Sequence, residues 1–162
     1  MKLIHPLQPI YDKDSKILIL GSFPSEISRS NNFYYANPYN RFWKVLEALF
    51  NTNLSFNEER ILFLHNNRIA LWDVIYSCEI YKSSDSSIRN VIPNDIGSII
   101  NNSKIKYILV TGKIALKYYN KYVYKDLNIK AIYLPSTSSA NAAYSFERLV
   151  NEYRIILNYL DN

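Results

Sequence analysis

Cysteine is almost missing from this chain. Cys78 is the only one in 162 residues, so no intrachain disulfide framework staples the fold. Histidine is nearly as scarce, with only His5 and His65, and no Cys/His cluster has the spacing of a zinc or iron–sulfur site. Neither a metal nor an organic cofactor is expected. Glycine occurs three times, and neither Gly-x-Gly-x-x-Gly nor a Walker motif is present, which counts against a generic nucleotide-binding domain. No segment approaches the roughly 18 uninterrupted apolar residues of a membrane helix. The opening Met-Lys-Leu-Ile-His-Pro-Leu-Gln-Pro-Ile lacks an apolar signal core. These absences lead us to expect a cytoplasmic protein without membrane contact.

What is present describes one globule. The length suffices for one compact core and not for two ordinary domains, so residues 1–162 are read as a single domain. A formal charge of +5 suits a polyanionic partner without identifying one. Short apolar runs at Lys16–Leu20, Ile69–Trp72, Tyr107–Val110 and Ala131–Leu134 read as strands buried on both faces of a mainly parallel sheet. Helical spacing links Phe42, Val45, Leu46 and Leu49, and runs again from Phe146 to Leu160. Weaker helical patterns cover Asn57–Asn66, Asn94–Asn102 and Lys113–Tyr122, which completes a β-α alternation. The polar stretch Lys82–Asn90, with Asp85, reads as the one long connection.

Two segments end abruptly in small, turn-forming residues. The first runs from Ile17 through Gly21-Ser22-Phe23-Pro24-Ser25 to Phe33-Tyr34-Tyr35-Ala36-Asn37-Pro38-Tyr39-Asn40-Arg41-Phe42-Trp43. The second is Ala131-Ile132-Tyr133-Leu134-Pro135-Ser136-Thr137-Ser138-Ser139-Ala140-Asn141. Both place a loop at the carboxyl edge of an open α/β sheet, where such folds bind ligands. Gly21 and Gly112 fall at or just past strand ends, where the backbone needs φ > 0 or a close approach, or simply turns. Asp73, at another strand end, either meets a ligand or caps a turn.

Together the two segments resemble the first and second motifs of the uracil-DNA glycosylase superfamily, most closely its hypoxanthine (deoxyinosine) branch. Trp72-Asp73-Val74-Ile75 and Ser83–Arg89 also resemble that branch, so the likeness runs from about residue 3 to residue 157. The resemblance implies a three-layer α/β/α sandwich around a four-stranded parallel sheet. It also implies a monomer that binds DNA across the strand ends and flips a deaminated base into a pocket.

Three departures from the pattern bear on chemistry. The uracil branches carry Asp or Asn two residues after the first glycine, and this chain has Phe23. In the hypoxanthine branch a later asparagine takes over, which maps onto Asn40. That residue is the catalytic candidate; the alternative is a helix N-cap worth about 1 kcal/mol. Asn37 stands where the family usually has histidine, and Ser139 where the branch commonly has proline. Loss of that proline predicts a less rigid loop.

The resemblance assigns Gly21, Ser22, Phe23, Tyr34, Tyr35, Asn37 and Asp73 to the base pocket, with Phe23 and the tyrosines as stacking faces or, alternatively, core residues. Pro24, Ser25, Ser136, Thr137, Ser138, Ser139, Ala140 and Asn141 are assigned to DNA contact; the alternative makes the second group a cap for the last helix. Lys113, Lys117, Lys121 and Lys125 form a basic stripe if one helix carries them all. A catalytically weak lesion-binding relative is the competing functional reading, motivated by Phe23 and Asn37.

Overall fold

The computed structural model describes residues 1–80 and 87–162, so Asp85 and the resemblance at Ser83–Ser86 lie outside it. Four parallel strands form the central sheet: β2 (Ile17–Gly21), β3 (Ile69–Asp73), β6 (Tyr107–Thr111) and β7 (Ile132–Leu134), in the order β3-β2-β6-β7. The expected strands are thus present with ends shifted by a residue or so. Ile17, Leu18, Ile19 and Leu20 are all fully buried. Successive side chains on a strand face opposite ways. Ile17 and Ile19 therefore enter one core and Leu18 and Leu20 the other. A strand wet on one face would alternate with polar residues; this one cannot.

The first core is closed by α2 (Phe42–Phe50), α3 (Asn57–Asn66), α7 (Phe146–Tyr153) and α8 (Ile155–Asp161). Phe42, Val45 and Leu46 are fully buried there, and Leu49 is partly so, as their spacing requires. The second core is closed by α4 (Ile96–Asn101) and α5 (Lys113–Tyr122). The result is the expected three-layer α/β/α sandwich. Two short helices, α1 (Glu26–Asn31) and α6 (Tyr124–Leu127), complete the set among the described residues.

Several expectations need correction. The pattern from Phe146 to Leu160 is two helices, because at Arg154 the ladder tightens: its N–H bonds the Asn151 carbonyl and Leu157 N–H bonds the Arg154 carbonyl. The Asn94–Asn102 helix begins only at Ile96. Asp95 caps it through Ser98 N–H, while the Asn94 side chain is drawn away to the Asp73 and Ile75 carbonyls. The supposed connection Lys82–Asn90 overlaps a strand, β5 (Ile88–Pro93). That strand joins β1 (Lys2–Ile4) and β4 (Ile75–Ile80) in an antiparallel sheet of order β1-β4-β5, which the sequence reading missed. Its register shifts between Ile75, Ser77 and Glu79 break the period-2 pattern that would have revealed it. The lysine stripe is cut as well, since α5 ends at Tyr122 and Lys125 belongs to α6.

Strand order places β2 between β3 and β6, the strands reached by successive crossovers on either side. The order in which strands are added reverses at that point, and the carboxyl ends of the strands open there into a crevice.

Candidate active site

A cleft of about 940 Å³ occupies that crevice. Small-molecule sites span roughly 300–1,000 Å³, so it lies within their range. Its walls include Gly21, Ser22, Phe23, Pro24, Ser25, Tyr34, Tyr35, Asn37, Asn40, Asp73, Ser136, Thr137, Ser138 and Ala140. The turns that begin at Gly21 and Pro135 converge on this one space. Ser139 and Asn141 lie in the same loop but not on the cleft wall; Ser139 is exposed, and Asn141 donates its amide to the Ser136 carbonyl at 2.9 Å.

The strand-end wall is tightly built. A methyl group on Gly21 would come within 2.5 Å of Asp73 Oδ1 and 3.3 Å of the Tyr35 hydroxyl, so close approach demands glycine there. Gly112 differs: its φ of +90° is what requires glycine, as the chain turns from β6 into α5. Asp73 is 4% exposed. It does not cap a turn: its Oδ2 accepts from His5 Nε2 at 2.7 Å. Tyr35 sits in the left-handed region at φ 52°, and the bend lays its ring on Phe42 with centroids 3.9 Å apart. Its hydroxyl lies 3.4 Å from Thr111 Oγ1. Burial, and then the Asp73 charge, pushes the Tyr35 phenol well above the usual tyrosine value, so it stays protonated at neutral pH. Tyr34 is shifted the same way for the same reasons. Its hydroxyl donates to the Gln8 carbonyl at 2.7 Å and its ring is 3% exposed, so this residue is core as much as wall. Phe23 is half-buried, with the His5 ring edge-on at 5.8 Å and the Arg29 guanidinium 5.7 Å from its centroid.

At the first motif's end, Asn40 stands one residue before Arg41, which occupies the N-cap position of α2. The Asn40 Oδ1 accepts from Phe42 N–H at 2.9 Å, a local turn at the start of α2 rather than the N-cap expected of it, and from the Thr137 hydroxyl at 2.8 Å. Both lone pairs are thereby filled, and the Nδ2 group, without a hydrogen-bond partner among the described residues, is what Asn40 offers the cleft. Asn37 spends its Oδ1 on Tyr39 N–H at 2.9 Å, a local turn around Pro38. Ser25 caps α1 by accepting from Ser28 N–H at 3.2 Å.

The loop wall has a different basis. Thr137 is 2% exposed and its hydroxyl is committed to Asn40, so it does not reach toward solvent or phosphate as the sequence reading supposed. Nor does this loop cap the last helical segment, since Ser145 does, accepting from Arg148 N–H at 3.2 Å. Arg41 holds the loop from behind. Its guanidinium donates to the carbonyls of Thr137 (3.4 Å), Ser138 (2.8 Å), Asn141 (3.1 Å) and Tyr144 (2.5 Å). Sequence reasoning gave Arg41 no role, because its partners are about a hundred positions away. His5 was likewise only counted. Nothing in its neighbourhood signals that antiparallel pairing of β1 with β4 brings it to Asp73.

Among the described residues no three His, Cys, Asp or Glu side chains gather to hold a metal ion, and no helix is long and apolar enough to cross a membrane.

Comparison with known proteins places these residues in context. The model of the Uracil DNA glycosylase superfamily matches residues 8–160. A Methanosarcina acetivorans protein named hypoxanthine DNA glycosylase is 33% identical over 142 residues, which span 86% of this chain and 89% of that one. Its Methanosarcina barkeri counterpart, of the same name, is 30% identical over 136 residues, 82% of this chain and 85% of the other. A Methanosarcina acetivorans protein solved by solution NMR, described as a candidate uracil DNA glycosylase, superposes with a TM-score of 0.83 at 29% identity, covering 100% of both chains.

Proposed function

Because this chain belongs to the uracil DNA glycosylase superfamily, we propose that it excises deaminated bases from DNA, hypoxanthine first and uracil or xanthine after it. It is a DNA glycosylase, a hydrolase of N-glycosyl bonds. It works as one monomeric domain, by hydrolysis, without a metal or an organic cofactor.

Breaking an N-glycosidic bond builds positive charge on the deoxyribose and negative charge on the departing base, so a protein accelerates it by holding water near the sugar and stabilising the base. The cleft supplies groups for this. Asp73 presents a carboxylate that accepts from a base N–H, and Tyr35 a phenol that stays protonated. Asn40, its oxygen already occupied, donates through Nδ2 to a base carbonyl or to the water oxygen. It takes no proton, so the acceleration rests on positioning and on leaving-group stabilisation. Phe23 and Tyr35 offer ring faces for the extruded base, and Ser136, Ser138 and Ala140 line the side that receives the DNA.

The observation that carries this reading is the 2.8 Å hydrogen bond joining Thr137 of the second motif to Asn40 of the first inside one cleft. Its test is a panel of oligonucleotides holding one inosine, uracil or xanthine, incubated with the protein and then treated with alkali. Strand scission fastest at inosine is expected. Retention of all three DNAs without scission points instead to a lesion-binding relative, and borohydride trapping of a covalent adduct overturns the hydrolytic route.

A further inference from the structure

Behind Asp73 stands a buried histidine that the mechanism above does not use. His5 and Asp73 have side chains 1% and 6% exposed, joined Nε2 to Oδ2 at 2.7 Å. His5 follows β1, whose register sets Ile4 opposite Ser77, and its own N–H continues the ladder to the Tyr76 carbonyl at 2.7 Å. This antiparallel sheet therefore delivers the imidazole to the carboxyl end of β3. The ring's other nitrogen, Nδ1, is met by the Leu7 backbone, 3.2 Å from its N–H and 3.0 Å from its carbonyl. Phe23 and Tyr34 close the ring in on either side, 5.8 and 6.3 Å away. His5 itself is not part of the cleft wall, whereas Asp73 is.

The consequence falls on the carboxylate. With Oδ2 taken by His5, Oδ1 carries no hydrogen bond among the described residues and sits beside Gly21 at the cleft, near the Tyr35 hydroxyl. A carboxylate buried this deeply and aimed by one strong donor is a fixed acceptor. Deamination of adenine or cytosine turns a ring nitrogen from an acceptor into an N–H donor beside a new carbonyl: hypoxanthine N1–H and uracil N3–H present that edge, and the adenine and cytosine they arise from do not. A flipped base is read on that edge.

We propose that His5 is a positioning residue that holds Asp73 so that Oδ1 receives the lactam N–H that deamination of adenine or cytosine creates, making the His5–Asp73 pair the element that tells hypoxanthine and uracil from the adenine and cytosine they arise from. The inference rests on the glycosylase reading above and adds to it how the substrate class is recognised.

The test uses two substitutions that differ by one bond in reach. Glutamine sets its amide nitrogen near the place of imidazole Nε2, and asparagine near that of Nδ1, so His5→Gln still donates to Asp73 and His5→Asn does not. Single-turnover excision of hypoxanthine is measured with enzyme in excess, so that the maximum rate reports folded molecules only. His5→Asn is expected to lower that maximum about tenfold with half-saturation unchanged, and His5→Gln to recover most of the loss. In an Asp73→Asn background, His5→Asn is expected to cost nothing further. A His5→Asn enzyme at the wild-type rate, or one losing the same factor in both backgrounds, overturns the inference while leaving the glycosylase reading intact. If His5→Asn does not fold, a folded His5→Gln enzyme no faster than Asp73→Asn overturns it equally. Wild-type protein that excises no deaminated base defeats the underlying reading instead.

Discussion

One wall of the cleft is made of strand ends and the other of loop. Gly21 and Asp73 close strands whose side chains are largely buried, and their positions follow from sheet register, Gly21 lying opposite Asp73 in the β2–β3 pairing. Residues 136–144 have no such ladder. Their shape is fixed by hydrogen bonds to Arg41 and Asn40, supplied from the other end of the sequence. A wall of register tolerates little: even one methyl group at Gly21 collides with Asp73. A wall of tethers is replaceable in detail and depends on its anchor. The first suits recognition of a small rigid base, and the second suits a long, deformable partner.

This contrast breaks first at Asn40, which ties the loop wall to the start of α2. Asn40→Ala is expected to lower single-turnover excision about 100-fold, the cost of losing one well-placed donor, together with about 1 kcal/mol of stability from the lost hydrogen bond to Phe42 N–H. Full excision with only the stability loss, read by urea melting beside the rate assay, would leave Asn40 a purely structural role. Arg41→Ala sharpens the contrast on the loop side alone. Releasing four carbonyls is expected to raise the DNA concentration for half-saturation about tenfold, as hydrogen bonds to a charged group are lost, with a smaller change in the rate on bound DNA. Arg41→Lys should not restore binding, since a point charge on a flexible stem cannot span the four oxygens. An equal fall in rate and binding would mean that the walls are not separable. The smallest effect concerns the lysines. Lys113 lines the cleft, whereas Lys117 and Lys121 lie 5.3 and 5.2 Å from the Tyr118 and Tyr122 rings. Lys113→Ala is expected to reduce the slope of log affinity against log salt by about 1. Neutralising Lys117 and Lys121 together should leave it unchanged.

Legibility divided along the same line. The central strands announced themselves as continuous apolar runs, although the edge strand β7 leaves Tyr133 exposed where burial on both faces was expected, and α3 and α5 have the predicted bounds. Motif residues at the strand ends were readable for that reason. The antiparallel sheet was not, because bulges in the β4–β5 pairing interrupt its alternation. His5 remained hidden with it, since its partner is 68 residues away and no local pattern links them. Arg41 lay inside the first motif in plain view, but a guanidinium that serves distant carbonyls looks the same in sequence as one on a surface. Ser139 carried the expectation of a looser loop. The structure supplies, beside it, the Arg41 contacts and the Asn141 bond to the Ser136 carbonyl, restraints that a proline ring would otherwise provide alone.

Arg41 has an electrical consequence too. Four carbonyl oxygens gathered under a loop form a patch of negative potential, which would repel a phosphate chain brought near it. Coupled to the Arg41 guanidinium, the same dipoles become internally compensated, and the loop meets a polyanion without a penalty from its own backbone.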